Sequence, residues 1–194
     1  MKPLAAAATA RASSGIGGTV RAMKELVYHR QLLPAVERFR DKVGFHDGEY
    51  SATFEQHFDR VLRVGNALGT ELGIGRGDRF AVMSANCHQY MELYHAGFLG
   101  CGVINPLNLR LAPKELAFIL KDSGTKVVFS DFLFAPLIES VREEAGVGLT
   151  DHDDLLDAPH DVKYEDLVAA GKAYVPEEPE EDDPVVPLMA SLRA

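Results

Sequence analysis

Short apolar runs alternate with stretches of helical periodicity from residue 79 to residue 145, and this alternation constrains the fold more than any other feature. The predicted strands are 79–84, 102–105 and 126–130, and the predicted helices are 89–99, 113–123 and 133–145. Pro113 suits the first turn of its helix, and Gly124 suits the position just past its end. Strands separated by helices of this length form a parallel sheet with helices on its faces. The sequence therefore predicts an α/β fold built from parallel βαβ units.

A small antiparallel unit is predicted ahead of this sheet. Apolar residues at helical spacing indicate a helix over residues 32–39, with Pro34 in its first turn. Asp47-Gly48 then stands between two strand-like runs, 43–46 and 50–52, which is a strong signal for a two-residue hairpin turn.

The clearest helix of the chain begins after Thr53. Gln56 stands three residues later, which is the capping-box pattern, and apolar residues follow along one face. Gly73, Gly75 and Gly77 end this helix. They follow a helix and precede a strand, the reverse of the order in phosphate-binding loops, so we interpret them as a connector in which glycine supplies positive φ.

The formal net charge of −9 is concentrated near the C-terminus. Residues 1–150 carry 16 acidic and 17 basic side chains, whereas residues 151–194 carry 13 acidic and 3 basic ones. A nearly neutral body without a basic stripe argues against a nucleic-acid partner. Residues 164–170 are compatible with a short helix, and residues 176–184 are acidic and rich in proline, which predicts a linker.

The cysteines and the hydropathy pattern bear on the cellular compartment. Cys87 and Cys101 would lie about 21 Å apart along one connecting helix, too far for a disulfide, so we interpret them as core thiols of a reduced, cytoplasmic protein. No apolar run approaches the roughly 20 residues that cross a bilayer. Residues 1–22 contain three basic residues and no acid. We predict a disordered leader there, or an extension ahead of a natural start at Met23.

One glycine-rich segment suggests a nucleotide site. Residues 11–17 resemble the glycine turn that binds a pyrophosphate in dinucleotide-binding proteins. Arg11 replaces the first glycine of that turn, however, and residues 1–10 make a poor strand. A flexible leader is therefore the favoured interpretation.

Two groups of histidines suggest metal sites. His88 and His95 stand seven residues apart, and His152 is surrounded by three acids, Asp151, Asp153 and Asp154. Neither group has the spacing of a zinc site or a compact ligand set. We therefore expect these side chains to be solvated polar residues.

Several short segments occur in an order that is typical of one enzyme family. They are Thr53-Phe54, Asn66-Ala67-Leu68, Gly77-Asp78-Arg79, Ala81-Val82-Met83, Asn86, Glu92-Leu93-Tyr94, Ala96-Gly97, the segment from Asn105 to Leu111, Glu115-Leu116 and Asp122-Ser123-Gly124. Together they resemble the N-terminal region of the AMP-forming acyl-CoA synthetases, in the adenylate-forming superfamily that includes luciferases and peptide-synthetase adenylation domains. The resemblance runs from about residue 23 to residue 186. In its most distinctive segment, residues 105–111, we expect Pro106 and the polar residues to shape a loop and Arg110 to pair locally.

The resemblance implies a two-step reaction. A carboxylate attacks the α-phosphate of ATP to give an acyl-adenylate and pyrophosphate, and the thiol of coenzyme A then displaces AMP. Positive charge, Mg²⁺ and hydrogen-bond donors must surround the phosphates, because negative charge accumulates there. ATP, Mg²⁺ and coenzyme A are thus expected for the complete parent enzyme, with a carboxylic acid as substrate. The acid itself is not indicated, since the family builds most of the acyl pocket from later residues.

The family's phosphate loop, a Ser/Thr/Gly-rich segment ending in Pro-Lys-Gly, is expected after a strand that starts near Pro184. Residues 187–194 contain Ser191 as their only hydroxyl and no Gly, Thr or Lys. We therefore predict no catalytic, cofactor-binding or metal-binding residue in this chain, and we interpret its last residues as an aberrant or frameshifted ending. The expected organisation is a leader (1–22), the N-terminal α/β part of the synthetase domain (23–173), and an acidic linker with the aberrant end (174–194).

Two functions are compatible with the sequence. The chain is either an N-terminal fragment of an acyl-CoA synthetase that is inactive alone, or a non-catalytic module that binds a partner or an acyl group. A sheet without the later strands of the family would expose an unpaired edge. Self-association through that edge is therefore also expected.

Overall fold

The structure, a computed structural model, describes residues 28–151 and 161–172. Its helices are α1 (Tyr28–Phe39), α2 (Phe54–Thr70), α3 (His88–Phe98), α4 (Pro113–Ser123), α5 (Ala135–Ala145) and α6 (Tyr164–Ala170). Its strands are β1 (Val43–Asp47), β2 (Tyr50–Thr53), β3 (Arg79–Met83), β4 (Val103–Pro106), β5 (Thr125–Ser130), β6 (Gly148–Asp151) and β7 (Val162–Lys163).

The main sheet contains five parallel strands in the order β4-β3-β5-β6-β7. The chain runs from β3 to β4 on one side and then returns past β3 to place β5 on the other side. The strand order therefore reverses at β3, and later strands add outward from β5. This arrangement confirms the predicted α/β fold.

Side chains of the central strands alternate between two cores, with the period of two that a strand imposes. Phe80 and Val82 of β3 and Phe129 of β5 face the core that α2, α3 and α6 cover. Ala81 and Met83 of β3 face the core that α4 and α5 cover. Both faces of the sheet are buried, which explains why the strands read as continuous apolar runs rather than as alternating ones.

Helix α2 begins as the sequence predicts. The Thr53 hydroxyl accepts a hydrogen bond from the Gln56 N–H, and the Gln56 side chain accepts one from the Thr53 N–H, at 3.2 and 2.9 Å. Beyond the helix, Gly73 and Gly77 have φ of 63° and 85°. Gly75 does not adopt positive φ, so the prediction was wrong for that glycine; its N–H donates instead to the Asp78 carboxylate at 2.8 Å.

The first helix and the hairpin differ from their predicted limits. Helix α1 already includes Tyr28, four residues before the predicted start, so Pro34 lies inside it rather than in its first turn. The ring of Tyr28 packs on Phe98 with centroids 5.1 Å apart, a contact that helps to offset the hydrogen bond that a proline removes. In the hairpin, Asp47 pairs with Tyr50, so the turn residues are Gly48 and Glu49. Only the first of them has positive φ, as in a type II′ turn.

The sequence did not predict strands β6 and β7. β6 reads Gly-Leu-Thr-Asp, with one large apolar residue, and β7 has two residues. Neither carries a pattern that distinguishes it from a loop. Their extended conformation comes from pairing, β6 with β5 and β7 with β6.

Strand β4 forms one edge of the sheet as far as the described residues extend. Its Val103 N–H donates to Asp78 and the following Leu107 N–H donates to Val82, at 2.7 and 2.9 Å. Because amide directions alternate along a strand, the amide positions of Ile104 and Pro106 face outward. Pro106 has no N–H, so this edge offers few donors to another strand.

Candidate functional site

The carboxyl ends of β3 and β5 form the place where doubly wound sheets bind ligands, because the strand order reverses there. Asp131, which is 9% exposed, follows β5 at this point. Its carboxylate accepts hydrogen bonds from the Ala85 N–H at 3.0 Å and from the Leu133 and Phe134 N–H groups at 3.0 and 3.3 Å. The Asp131 carboxylate therefore already binds amides of the loops that follow β3 and β5. A phosphate from solution would have to displace this carboxylate in order to bind there.

The loop after β4 holds the most distinctive segment of the sequence. The Asn108 side chain accepts a hydrogen bond from the Arg110 N–H at 2.9 Å, and Leu107 is buried. Polar residues therefore shape this loop, as expected. The expected local pairing of the Arg110 side chain is wrong: the guanidinium is exposed and has no hydrogen-bond or ion-pair partner among the described residues, because the loop turns it toward solvent.

Arg60 of α2 is the centre of a buried polar network. It donates to Glu92 of α3 at 2.7 Å and to both carboxylate oxygens of Glu165 of α6, at 2.5 and 2.9 Å. The Tyr164 hydroxyl donates to the second oxygen of Glu92 at 2.9 Å. Glu92 and Tyr164 are fully buried. The network joins three helices on one face of the sheet.

The pKa values in this network follow from burial and pairing. Burial raises the pKa of Glu92, although the hydrogen bonds from Arg60 and Tyr164 oppose that effect. Burial, then the nearby Glu92 charge, raises the pKa of Tyr164 well above its ordinary value. For Arg60, burial lowers the pKa, but the hydrogen bonds to Glu165 and Glu92 outweigh it and the net pKa is raised. Every charge-bearing group here is committed to an internal bond, so the network holds helices together.

A second polar group lies where α1 and the hairpin meet α2 and α3. His57 of α2 stacks on Phe45 of β1, with ring centroids 3.5 Å apart and planes 12° apart. Its Nε2 lies 2.9 Å from Nδ1 of His95 on α3, within hydrogen-bond distance. Its own Nδ1 is buried and has no hydrogen-bond partner in the described part of the chain.

His88, at the N-terminal end of α3, also contacts the hairpin. Its ring stacks on Tyr50 of β2, with centroids 3.7 Å apart and planes 12° apart. The Asp47 carboxylate lies 3.0 Å from its Nδ1 and accepts its backbone N–H at 2.9 Å. The prediction that His88 and His95 are solvated was therefore wrong, because tertiary packing brings the hairpin over both rings.

The pKa values of His57, His95 and Asp47 are all lowered. Burial, then the neighbouring His95, Arg60 and His88, lowers the pKa of His57 to about 3. Burial also lowers the pKa of His95. The hydrogen bonds from the His88 ring and backbone lower the pKa of Asp47.

The remaining predicted candidates give no site. The connector of Gly73, Gly75 and Gly77 lies between α2 and β3, as expected, and Lys126 pairs with Asp78 beside it at 2.7 Å. Residues 11–17 and the group around His152 lie outside the described residues. In the described ranges, no three His, Cys, Asp or Glu side chains gather as metal ligands, and no helix is long and apolar enough to cross a membrane. No disulfide joins Cys87 and Cys101, and both side chains remain thiols.

A parallel sheet with this strand order, helices on both faces and a hairpin docked on its first helices defines the N-terminal part of the adenylate-forming architecture. The sequence is consistent with that class over most of its length. The chain belongs to the AMP-binding enzyme family, which it matches over residues 33–189. The resemblance predicted over residues 23–186 is thereby confirmed from residue 33 onward.

Curated relatives of this chain are acyl-CoA ligases. A long-chain-fatty-acid–CoA ligase of Thermus thermophilus is 38% identical over 101 residues, which are 51% of this chain and 18% of that protein. A butyrate–CoA ligase of Arabidopsis thaliana is 32% identical over 107 residues, which are 55% of this chain and 18% of that protein. The chain therefore spans about a fifth of the length of these relatives.

Solved structures agree on the fold. A putative long-chain-fatty-acid CoA ligase from Rhodopseudomonas palustris superimposes with a TM-score of 0.68 at 25% identity, covering 80% of this chain and 38% of that one. A benzoate CoA ligase from Burkholderia xenovorans also gives 0.68, at 21% identity, covering 77% and 29%. At that identity the second likeness concerns the fold alone.

The sequence predicted no site role for Arg60, Glu92, His57 or Asp131, although Glu92 lies in one of the segments that carry the family resemblance. A weak signal existed for three of them: His57 and Glu92 stand beside apolar residues on the buried faces of their helices, and Asp131 directly follows an apolar strand. A polar residue in such a position must find a partner. Its partner belongs to a distant part of the chain, which periodicity does not indicate.

Proposed function

We propose that this chain provides the N-terminal part of the fold of an acyl-CoA ligase, an enzyme that activates a carboxylic acid through an acyl-adenylate. The observation that carries the proposal is the match to the AMP-binding enzyme family over residues 33–189, together with acyl-CoA ligases as the curated relatives. ATP, Mg²⁺ and coenzyme A are the reactants and metal of the complete enzyme. The named substrates of the relatives range from butyrate to long-chain fatty acids, so the proposal specifies a carboxylic acid and not its length.

The 194-residue chain alone is proposed to be inactive. The charged side chains in the Arg60 network and at the carboxyl ends of β3 and β5 already have partners within the chain. Arg60 donates to Glu92 and Glu165, and Asp131 accepts hydrogen bonds from backbone amides. The proposed division remains a leader (1–22), the α/β part (23–173) and an acidic linker with an atypical end (174–194). We also propose a cytoplasmic location, which the presence of thiols rather than a disulfide at Cys87 and Cys101 favours.

A direct assay tests the inactivity. The purified chain is incubated with ATP, Mg²⁺ and butyrate, benzoate or a long-chain fatty acid, and pyrophosphate release is measured, with the Thermus thermophilus ligase as positive control. We expect no acid-dependent release above background. Release that follows the chain through successive chromatographic steps would contradict the proposal.

A chimera tests the structural role. In the Thermus thermophilus ligase, the segment aligned with this chain is replaced by this chain's residues, and a second construction lacks the segment. We expect the chimera to retain acyl-CoA formation at a reduced rate and the deletion to lose it. A chimera that melts cooperatively yet forms no acyl-CoA would contradict the role in a ligase.

That last outcome would favour the alternative, a non-catalytic binding module. The observation in its support is that both faces of the sheet are covered by helices of this chain, so the segment buries two cores of its own. Such a module would melt cooperatively by itself.

A further inference from the structure

The segment formed by α1 and the β1–β2 hairpin, residues 28–53, is called the N-terminal flap here. Its three elements each place one aromatic ring on one histidine of the body. Phe45 of β1 stacks on His57 at 3.5 Å, Tyr50 of β2 stacks on His88 at 3.7 Å, and Tyr28 of α1 lies 5.8 Å from His95. The hairpin forms its own two-stranded sheet, and none of the described strands pairs it with the main sheet. Docking of the flap therefore rests on these ring contacts, on Leu32 and Val36 of α1 packed against the first core, and on the bonds of Asp47 to His88.

The buried ring of His57 has no acceptor for a second N–H among the described residues. His57 and His95 face each other through Nε2 and Nδ1, so one nitrogen donates and the other accepts. The charged form of His57 carries an N–H on both nitrogens, so its buried Nδ1 would hold an N–H that has no acceptor among the described residues. His57 is 2% exposed, so water does not reach it in the docked state.

The surrounding charges do not compensate for such a proton. Positive charge on His95, Arg60 or His88 disfavours a positive charge on His57 and lowers its pKa. The nearby carboxylates are committed elsewhere: Glu92 of α3 and Glu165 of α6 bind Arg60, and Asp47 of the hairpin binds His88. The ring facing this region from α1 is Tyr28, which titrates far above neutral pH.

We propose that the N-terminal flap is a proton-sensitive element, which docks on α2 and α3 while His57 is neutral and is released when His57 takes up a proton. The main sheet stays folded over the same range, because its strands and the helices α4, α5 and α6 that cover it contain no histidine. This inference does not rest on the function proposed above.

The direction of the pH dependence follows from linkage. The pKa of His57 is about 3 in the docked state and near the ordinary 6.5 when the flap is open. The open state therefore binds more protons below about pH 6.5, and docking weakens as the pH falls from there toward about 3. A single histidine lowers the docking constant by up to about tenfold per pH unit in this window. The lowered pKa of Asp47 acts in the same direction, but only below its ordinary value of 3.8.

The test follows backbone amide resonances of the full 194-residue chain by NMR between pH 7.5 and pH 4. Residues 43–53 are expected to move to random-coil shifts at a pH where β3 and β5 keep their native shifts. In His57→Phe, which keeps a ring against Phe45, the release should move down by at least one pH unit. The matched control is His46→Gln, because His46 is an exposed histidine on the same hairpin, and its release should coincide with that of the unmodified chain.

Three results would overturn the proposal. They are a flap that stays docked to pH 4, a flap and sheet that unfold together, and a His46→Gln shift as large as that of His57→Phe. If His57→Phe does not fold, the proposal is tested by the imidazole resonances of His57 in the unmodified chain. We expect His57 to remain neutral as long as the flap is docked, whereas an ordinary titration near pH 6.5 without flap release would refute the idea.

Discussion

At the scale of single residues, Gly65 illustrates how closely helix α2 approaches its neighbours. A Cβ at this position would lie 2.8 Å from the Sγ atom of Cys101, which is itself buried. The glycine therefore lets α2 pass over the loop that leads into β4. Glycine is otherwise unfavourable inside a helix, so its presence here has a packing reason.

The corresponding prediction compares two glycines of the same helix. Gly65→Ala should lower the free energy of unfolding by about 1–3 kcal/mol, because an added methyl overpacks the contact with Cys101. Gly69→Ala is the control, since its Cβ would meet nothing closer than Ile74 O at 3.8 Å. It should raise stability by about 0.5–1 kcal/mol through helix propensity. Urea unfolding measures both, and a Gly65→Ala variant as stable as Gly69→Ala would contradict the packing argument.

At the scale of elements, the network around Arg60 decides how α2, α3 and α6 sit together. Helix α6 has seven residues, too few to be stable alone, and its buried Tyr164 reaches across to Glu92. The C-terminal end of α6 is held as well, because Lys172 N–H donates to the Asn66 side chain at 2.9 Å. The helix was predicted from sequence, but its position depends on these bonds.

Removing the acceptor at the centre of this network tests its contribution. Glu92→Ala should lower the free energy of unfolding by about 2–4 kcal/mol, because unsatisfied buried donors on Arg60 and Tyr164 cost about 1–3 kcal/mol each. Asp59→Ala is the control: it breaks an exposed pair with Arg63 on the same helix and should cost at most about 0.5 kcal/mol. Thermal or urea unfolding measures both variants. Equal losses of stability in Glu92→Ala and Asp59→Ala would show that the network contributes no more than an exposed ion pair.

At the scale of the whole molecule, the edge at β4 bears on self-association. Apolar side chains near it are exposed, Val103 by 49% and Phe98 by 53%, which favours contact with another molecule. Pro106 has the opposite effect, because it removes an outward N–H that a second strand would need. We expect strand pairing at this edge to be weak.

Restoring the donor should strengthen such pairing. Pro106→Val supplies the missing N–H and a residue suited to strands, so the dimer fraction measured by sedimentation velocity should rise with chain concentration above that of the unmodified chain. A dimer fraction that is unchanged by Pro106→Val, or already large before the substitution, would mean that association does not proceed through this strand edge.

The sequence by itself determined the α/β class, the capping of α2 by Thr53 and Gln56, the limits of α4, and the family. These features depend on local propensity and on periodicity, which are encoded over a few neighbouring residues. Only the tertiary structure decided the strands β6 and β7, the burial of His57 and His95, and the partners of Arg60 and Asp131. The physical reason is that a short strand is stabilised by its neighbours in the sheet, and a buried polar side chain by partners up to 105 positions away in the chain.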